Sequence, residues 1–217
     1  MTKAIIFDLD GTLLNTLDSI AYYANHTLVK YGFEPIETER YKILTGRGAR
    51  NLMTGMLRDR NCDDKELLEK MLYDYNKIYD ENYLYLTRPY DGIVEMLKAV
   101  REKGIKTAVI SNKPHSTTAQ VVEATLGGLL DIVFGNREGV PLKPDPTAIL
   151  EIIDMLGVEK DEILYVGDTG TDMTAGKRAG LYTVGCTWGF RDREELIAND
   201  ACALVDKPCE ILGLIKE

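Results

Sequence analysis

Asp8-Leu9-Asp10-Gly11-Thr12 follows directly on the apolar run Lys3-Ala4-Ile5-Ile6-Phe7. The run is short and rich in strand formers, and an acidic turn bearing a glycine closes it. It reads as a buried strand that ends in two carboxylates. Side chains two apart on an extended segment point the same way. Asp8 and Asp10 are therefore expected to project together from the carboxyl end of that strand, where ligands of open α/β sheets bind. Two carboxylates held so close repel each other, and the site tolerates them with a cation nearby or a proton on one of them. The plain alternative is a solvated Asp-rich turn. An EF-hand fits poorly, because its glycine stands at the sixth loop position and its loop follows a helix.

The pattern recurs along the chain. Ile163-Leu164-Tyr165-Val166 runs into Gly167-Asp168-Thr169-Gly170-Thr171-Asp172. Thr107-Ala108-Val109-Ile110 ends in Ser111-Asn112-Lys113. Lys143 lies in Pro141-Leu142-Lys143-Pro144-Asp145-Pro146, a proline-fixed loop before a helix expected to start near Thr147. Four strand or loop ends thus deliver acid pairs, a hydroxyl and an ammonium. These are parts that hold Mg²⁺ and a phosphoryl group.

In this order, DxDGT, SNK, a lone lysine and GDxxxD resemble the four motifs of the haloacid dehalogenase superfamily of phosphohydrolases, spread over nearly the whole chain. Two further stretches, Leu44-Thr45-Gly46-Arg47-Gly48-Ala49-Arg50-Asn51-Leu52-Met53 and the run from Val184 to Leu196, resemble segments of bacterial phosphoglycolate phosphatases. The resemblance implies Mg²⁺-dependent hydrolysis of a small phosphate monoester through an aspartyl phosphate. Asp8 would be the nucleophile. Asp10 would protonate the leaving alkoxide and then activate water, with a pKa raised by its carboxylate neighbours. The implied metal ligands are the carboxylates of Asp8 and Asp168 and the backbone carbonyl of Asp10. Asp172 would sit in or just behind the metal shell, orienting water or Lys143.

Ser111 and the backbone N–H of Asn112 would hold the phosphoryl oxygens, and Lys143 would neutralise their charge. Gly11 and Thr12 would make the turn that lets backbone amides approach the phosphate. Arg47 and Arg50 flank a glycine-rich turn and could recognise a substrate carboxylate, such as that of phosphoglycolate; ordinary solvated arginines are the alternative. Asn15 stands where the family more often has an acid. Trp188 reads as a packing residue, and His26 and His115 match no motif.

Positioning these groups requires a parallel sheet. Strand–helix alternation fails only over residues 16–86, where helical spacing covers Thr16 to Tyr31, Gly46 to Leu57 and Asp63 to Tyr83, the last with Asp63 or Asp64 as N-cap. Beyond Thr87 the spacing predicts helices over 91–103, 115–126, 147–156 and 171–179, with strands over 106–111, 131–134, 162–167, 181–185 and 203–205. Repeated strand–helix units imply a parallel sheet covered on both faces. The expected fold is α/β: a Rossmann-like core over 1–15 and 87–217, with an all-helical cap domain over 16–86 inserted after strand 1. The cap is expected to pivot near Leu14-Asn15 and Thr87-Arg88.

Composition narrows the partners. Asp+Glu outnumber Lys+Arg by 35 to 26, for a net charge of −9, and no basic block is present, which excludes nucleic acid. No apolar run approaches the roughly 18 residues of a membrane span. Lys3 leads straight into a core strand, which leaves no room for a signal peptide. Cys62, Cys186, Cys202 and Cys209 form no CxxC and are expected to be reduced, mostly packed thiols of a cytoplasmic protein. The expected partner is a small phosphorylated metabolite, and oligomeric state has no signal. Pyrophosphatase, sugar-phosphate phosphatase and a β-phosphoglucomutase-type phosphomutase share the same core motifs. A mutase differs mainly in cap residues that shield the phosphoenzyme from water. A dehalogenase would need neither metal nor Asp10, and a binding module would have lost a catalytic acid.

Overall fold

The computed structural model describes residues 1–216. The chain opens with β1 (Ala4–Phe7) and a two-residue strand β2 (Leu14–Asn15). Four helices follow: α1 (Leu17–Lys30), α2 (Thr38–Leu44), α3 (Gly48–Arg58) and α4 (Lys65–Glu81). A second short strand, β3 (Arg88–Pro89), leads into α5 (Ile93–Glu102), β4 (Lys106–Pro114), α6 (His115–Leu126), β5 (Ile132–Asn136) and α7 (Thr147–Leu156). The chain continues through β6 (Ile163–Gly167), α8 (Gly170–Ala179), β7 (Tyr182–Cys186), α9 (Arg193–Ala198) and β8 (Ala203–Val205).

Six strands form one sheet in the order β5-β4-β1-β6-β7-β8, and every pairing is parallel. Period-two alternation sends Ile5 and Phe7 to one face, against Ile93, Met96, Leu97 and Val100 of α5 and Val121 of α6. Ala4 and Ile6 go to the other face, against Ile149, Ile152 and Ile153 of α7 and Ala175 and Ala179 of α8. β1 is therefore buried on both faces, which explains why its sequence is apolar without interruption. It lies between β4 and β6. From it the chain fills one side of the sheet and then returns to fill the other. Such a switch of direction opens a crevice at the carboxyl ends of the strands.

Helices α1 to α4 build a separate apolar core around Leu28, Tyr41, Met53, Met56 and Met71. Phe190 of the sheet domain also packs into it. The chain enters and leaves this layer through β2 and β3, which pair antiparallel, Leu14 with Pro89 and Asn15 with Arg88. Asp64 caps α4 by accepting from the Leu67 N–H at 3.0 Å. Expected boundaries shift by a few residues at several elements: the helix expected over 46–57 starts at Gly48, that expected over 63–83 spans Lys65–Glu81, the strand expected over 131–134 spans Ile132–Asn136, and the strand expected to stop at 111 runs on to Pro114. Helices α2 and α9 have seven and six residues, too few to reveal a helical period. Of the cysteines, only Cys186 is fully packed; Cys202 and Cys209 are exposed, which corrects the expectation of mostly buried thiols. No helix among the described residues is long and apolar enough to cross a membrane.

Helix α8 lies tight on the sheet. A Cβ at Gly176 would stand 2.6 Å from Thr183 Cγ2 and 2.9 Å from the Tyr165 ring. Gly176→Val should therefore lower stability by about 1–3 kcal/mol through overpacking. The helix-propensity gain of a few tenths of a kcal/mol is too small to offset this. Urea denaturation reads the effect, and an unchanged midpoint would contradict the close packing described here.

Candidate active site

β1 stops at Phe7, and the chain turns at once. The Leu9 carbonyl accepts from the N–H groups of Thr12 (3.3 Å), Leu13 (3.0 Å) and Leu14 (2.9 Å). Leu9, Leu13 and Leu14 are fully buried and anchor this turn. Gly11 sits at φ +92, and a Cβ there would fall 2.1 Å from Asp168 Oδ2, so both backbone conformation and space demand glycine. The turn also satisfies N–H groups of its own. Gly11 N–H donates to the Leu14 carbonyl at 2.8 Å and Thr12 N–H to that of Leu9. The Thr12 hydroxyl donates to Asp168 Oδ1 at 3.1 Å. Gly11 and Thr12 thus shape the site and brace Asp168 rather than line the chamber. Trp188 Nε1 donates to the Thr12 carbonyl at 3.0 Å and packs on the sheet core, as its packing role anticipates.

Parallel pairing of β1 with β6 sets Phe7 beside Val166, so Asp8 and Asp168 leave adjacent strands side by side. Asp172 joins them from the first turn of α8, where it and Thr169 form a capping box. Carboxylate oxygens of Asp8, Asp168 and Asp172 all lie within 4.8 Å of one another, and all three residues are buried. Lys143 reaches them from its loop: its Nζ is 2.6 Å from Asp8 Oδ1, 2.8 Å from Asp172 Oδ1 and 3.1 Å from the Ile110 carbonyl. The second Asp172 oxygen accepts from the Thr169 hydroxyl at 2.6 Å and N–H at 3.1 Å. Protein donors thus engage both of its oxygens, and Asp172 positions Lys143.

One ammonium faces three carboxylates. Burial, then Asp172, pushes the Asp8 carboxyl well above the usual range, against the pull of Lys143. Burial and Asp172 likewise push Asp168 up to about 7, although the Phe190 N–H and the Thr12 hydroxyl hold it down. Burial alone would lower the Lys143 pKa, but Asp172 and Asp8 more than reverse this and raise it well above the ordinary value. The cluster thus lacks positive charge. An all-oxygen carboxylate set with a charge deficit fits a hard divalent cation.

Asp10 lies in the turn beyond β1 and takes a different partner from Asp8. Its Oδ1 accepts from Lys113 Nζ at 2.7 Å, so an ammonium holds it rather than the carboxylate neighbours that were expected. Its backbone carbonyl remains the part that the sequence resemblance assigns to the metal. Lys113 Nζ also donates to the Tyr79 hydroxyl of α4 at 2.9 Å. Burial alone would lower the Lys113 pKa; Asp10 and Tyr79 outweigh it and raise the pKa. Sequence reasoning gave Lys113 no role, although it stands in the same three-residue motif as Ser111.

Asp8, Asp10, Ser111, Asn112, Lys113 and Lys143 all line one chamber, which has a cavity volume of about 80 Å³. Its opposite wall comes from the helical layer, with Ile20, Ala49, Leu52, Tyr75 and Tyr79. The Asn112 side chain ties three parts together. Its Nδ2 donates to the carbonyls of Gly46 (3.1 Å) and Lys143 (3.2 Å), and its Oδ1 accepts from Lys143 N–H at 2.9 Å. Arg47 and Arg50 stay out of the chamber. Arg50 lies on the outer face of α3 in a bidentate pair with Glu69, at 2.5 and 2.9 Å. Arg47 precedes that helix and lines a separate cleft with Arg58, Arg191 and Glu195. The first turn of α3 presents Gly48 and Ala49 to the chamber instead. Helical rotation, invisible in the bare order of residues, separates the two arginines from the site.

Residues 5–186 match the family model of haloacid dehalogenase-like hydrolases. A phosphoglycolate phosphatase of Aquifex aeolicus is 35% identical over 189 residues, 87% of this chain and 86% of the relative. An N-acetylmuramic acid 6-phosphate phosphatase of Pseudomonas aeruginosa is 29% identical, over 98% of this chain and 94% of the relative. A crystal structure of a candidate phosphoglycolate phosphatase from Lactobacillus delbrueckii subsp. bulgaricus superposes with a TM-score of 0.94 at 26% identity, covering 99% of both chains.

The charge deficit has a stability consequence. A carboxyl whose folded pKa is raised costs stability once pH exceeds its unfolded value, and the cost is complete above the folded value, about 7 for Asp168. Asp168→Asn keeps an acceptor for the Phe190 N–H and can donate to Thr12 in place of accepting from it. It should raise the thermal midpoint of the metal-free protein at about pH 8. A divalent cation should then stabilise the wild type and not the variant. Thermal unfolding in chelator and in added cation reads both effects, and a variant less stable than wild type at that pH would refute the account.

Proposed function

The chain belongs to the haloacid dehalogenase-like hydrolases, and we propose that it is a Mg²⁺-dependent phosphatase of small phosphate monoesters, of the phosphoglycolate phosphatase type. The observation that carries this reading is the buried lysine that bridges Asp8 and Asp172 and lines a small chamber. In the first half-reaction an Asp8 oxygen bonds to phosphorus while the ester P–O bond breaks, and the departing alkoxide takes its proton from Asp10. In the second, Asp10 removes a proton from water. The resulting oxygen bonds to phosphorus and the Asp8–phosphorus bond breaks, releasing phosphate.

Lys143 stands 2.6 Å from Asp8 and is placed to neutralise charge on the transferring group. The Ser111 hydroxyl lines the same wall and supplies a donor to a phosphoryl oxygen. Mg²⁺, held by Asp8, Asp168 and the Asp10 carbonyl with Asp172 behind, would supply the remaining positive charge against the phosphoryl oxygens. Lys113 holds Asp10 where it can meet the ester oxygen, and the apolar wall of Ile20, Leu52 and Phe190 excludes water while the layers are closed.

The Pseudomonas aeruginosa relative favours a second reading, a sugar-phosphate phosphatase. The cavity favours the smaller ester. The chamber is small, about 80 Å³, and much of its wall is apolar. A phosphomutase must recognise two phosphoryl groups, whereas beyond Lys143 the described lining offers a single further ammonium, Lys113.

Phosphate release across a panel of phosphoglycolate, sugar phosphates and p-nitrophenyl phosphate tests the reading. Activity should require Mg²⁺ and disappear in chelator. Asp8→Asn should lower kcat by at least about a thousandfold with the fold intact, because an amide cannot form the aspartyl phosphate. Substantial turnover by Asp8→Asn, or full activity in chelator, would overturn the mechanism.

A further inference from the structure

We propose that Lys113 and Tyr79 together bind a carboxylate of the substrate, so that the site selects short phosphate esters with a carboxylate on the ester carbon. This rests on the phosphatase reading above and goes beyond it by naming the specificity group. The chamber lining contains two cations among the described residues, Lys143 and Lys113. Asp8 and Asp172 engage Lys143 at the phosphoryl end. Arg50 is paired with Glu69 outside, and Arg47 lines another cleft. A carboxylate that enters this chamber therefore has one ammonium to meet.

Lys113 is set up to meet it. Its three N–H bonds have two protein acceptors, Asp10 Oδ1 at 2.7 Å and the Tyr79 oxygen at 2.9 Å, which leaves one donor for a ligand. The Tyr79 oxygen accepts from Lys113, and among the described residues its own O–H has no acceptor. Two free donors thus sit on adjacent atoms, and a carboxylate with its two oxygens can accept from both. Both donors are preset. The Lys113 side chain is 9% exposed, and the Tyr79 ring packs against Tyr23 and Tyr75 at centroid distances of 5.3 and 5.7 Å. Asp80, the remaining acid of the lining, turns its Oδ1 to the Thr117 hydroxyl at 2.6 Å.

Connectivity places the carboxylate. The ester oxygen must reach Asp10, which Lys113 touches directly. In an ester of glycolic acid the carboxyl carbon is attached to the carbon that bears this oxygen, so it lies next to Lys113 once the ester oxygen meets Asp10. The clamp also spans the two layers, because Lys113 comes from β4 and Tyr79 from α4. It is complete only while the layers are together, so a carboxylate substrate favours the closed arrangement in which water is excluded.

The test compares phosphoglycolate with ethyl phosphate, in which a methyl group replaces the carboxylate. Wild-type kcat/KM should favour phosphoglycolate. Tyr79→Phe and Lys113→Met should each lower the phosphoglycolate to ethyl phosphate ratio by roughly ten- to a hundredfold, the worth of a charge-assisted hydrogen bond. Tyr79→Phe keeps the Lys113–Asp10 pair, so it separates carboxylate binding from positioning of Asp10. Should Lys113→Met fail to fold, Tyr79→Phe still decides. Equal losses on both esters would show that the pair only positions Asp10 and would overturn the proposal. So would a wild type that shows no preference while still releasing phosphate from p-nitrophenyl phosphate, an outcome that leaves the phosphatase reading standing. Failure to hydrolyse any ester in Mg²⁺ would instead remove the phosphatase reading, and the proposal with it.

Discussion

Three buried carboxylates, Asp8, Asp168 and Asp172, share one ammonium, and the rest of the molecule has to hold them against their own repulsion. At separations up to 4.8 Å each pair repels with on the order of 3 kcal/mol at the effective dielectric of a protein site. A domain is stable by about 5–15 kcal/mol in total, so such a cluster persists only on a scaffold with stability to spare and with counter-charge at hand. Lys143 and the donors from Thr12, Phe190 and Thr169 supply part of the compensation, and burial still leaves the charged forms of Asp8 and Asp168 disfavoured. The scaffold answers with a strand buried on both faces, a turn pinned by three buried leucines, and a helix whose first turn carries Asp172. A bound cation and a phosphoryl group would complete the charge balance, so the same deficit that costs stability would create affinity for such ligands.

The core part of this arrangement could be read from the residues because it is local. A strand that ends in DxDGT needs few neighbours to be recognised, and β1, β6 and β4 place Asp8, Asp168 and Ser111 at one edge by parallel pairing alone. Period-two and helical spacing likewise exposed the alternation of strands and helices. Elements with no period escaped. Helices α2 and α9 are too short for one, and the β2–β3 pair has two residues per strand, so only the ends of the helical insert pointed to Leu14-Asn15 and Thr87-Arg88.

What sequence could not give is the direction of a side chain on an element whose rotation is fixed by distant packing. Arg47 and Arg50 flank a glycine-rich turn beside the site in sequence, yet α3 turns Leu52, Met53, Met56 and Leu57 into the core of the helical layer. That rotation delivers Ala49 to the chamber and Arg50 to Glu69. The same limit hid Lys113, whose significance comes from a tyrosine 34 residues away. The internal bonding of the Gly11 and Thr12 N–H groups was out of reach for a related reason, since a turn that looks open in sequence satisfies N–H groups of its own in space.

The residues that grip the phosphoryl end also grip the helical layer. Asn112 bonds Lys143 through both its N–H and its carbonyl, and bonds Gly46 across the seam. Lys113 bonds Asp10 on one side and Tyr79 on the other. Arg191, four residues beyond Thr187, donates to the carbonyls of Ile43 at 3.3 Å and Thr45 at 2.9 Å, where α2 ends. The contacts to Gly46, Tyr79, Ile43 and Thr45 join the carboxyl-end region of the sheet to the layer above it, and each is made by a side chain near a proposed catalytic group or next to Phe190, whose N–H braces Asp168. Separation of the layers would release Asp10 and the Lys143 loop from partners that fix their positions. Any opening of the helical layer would therefore also loosen the proposed reacting groups, because the same hydrogen bonds hold both.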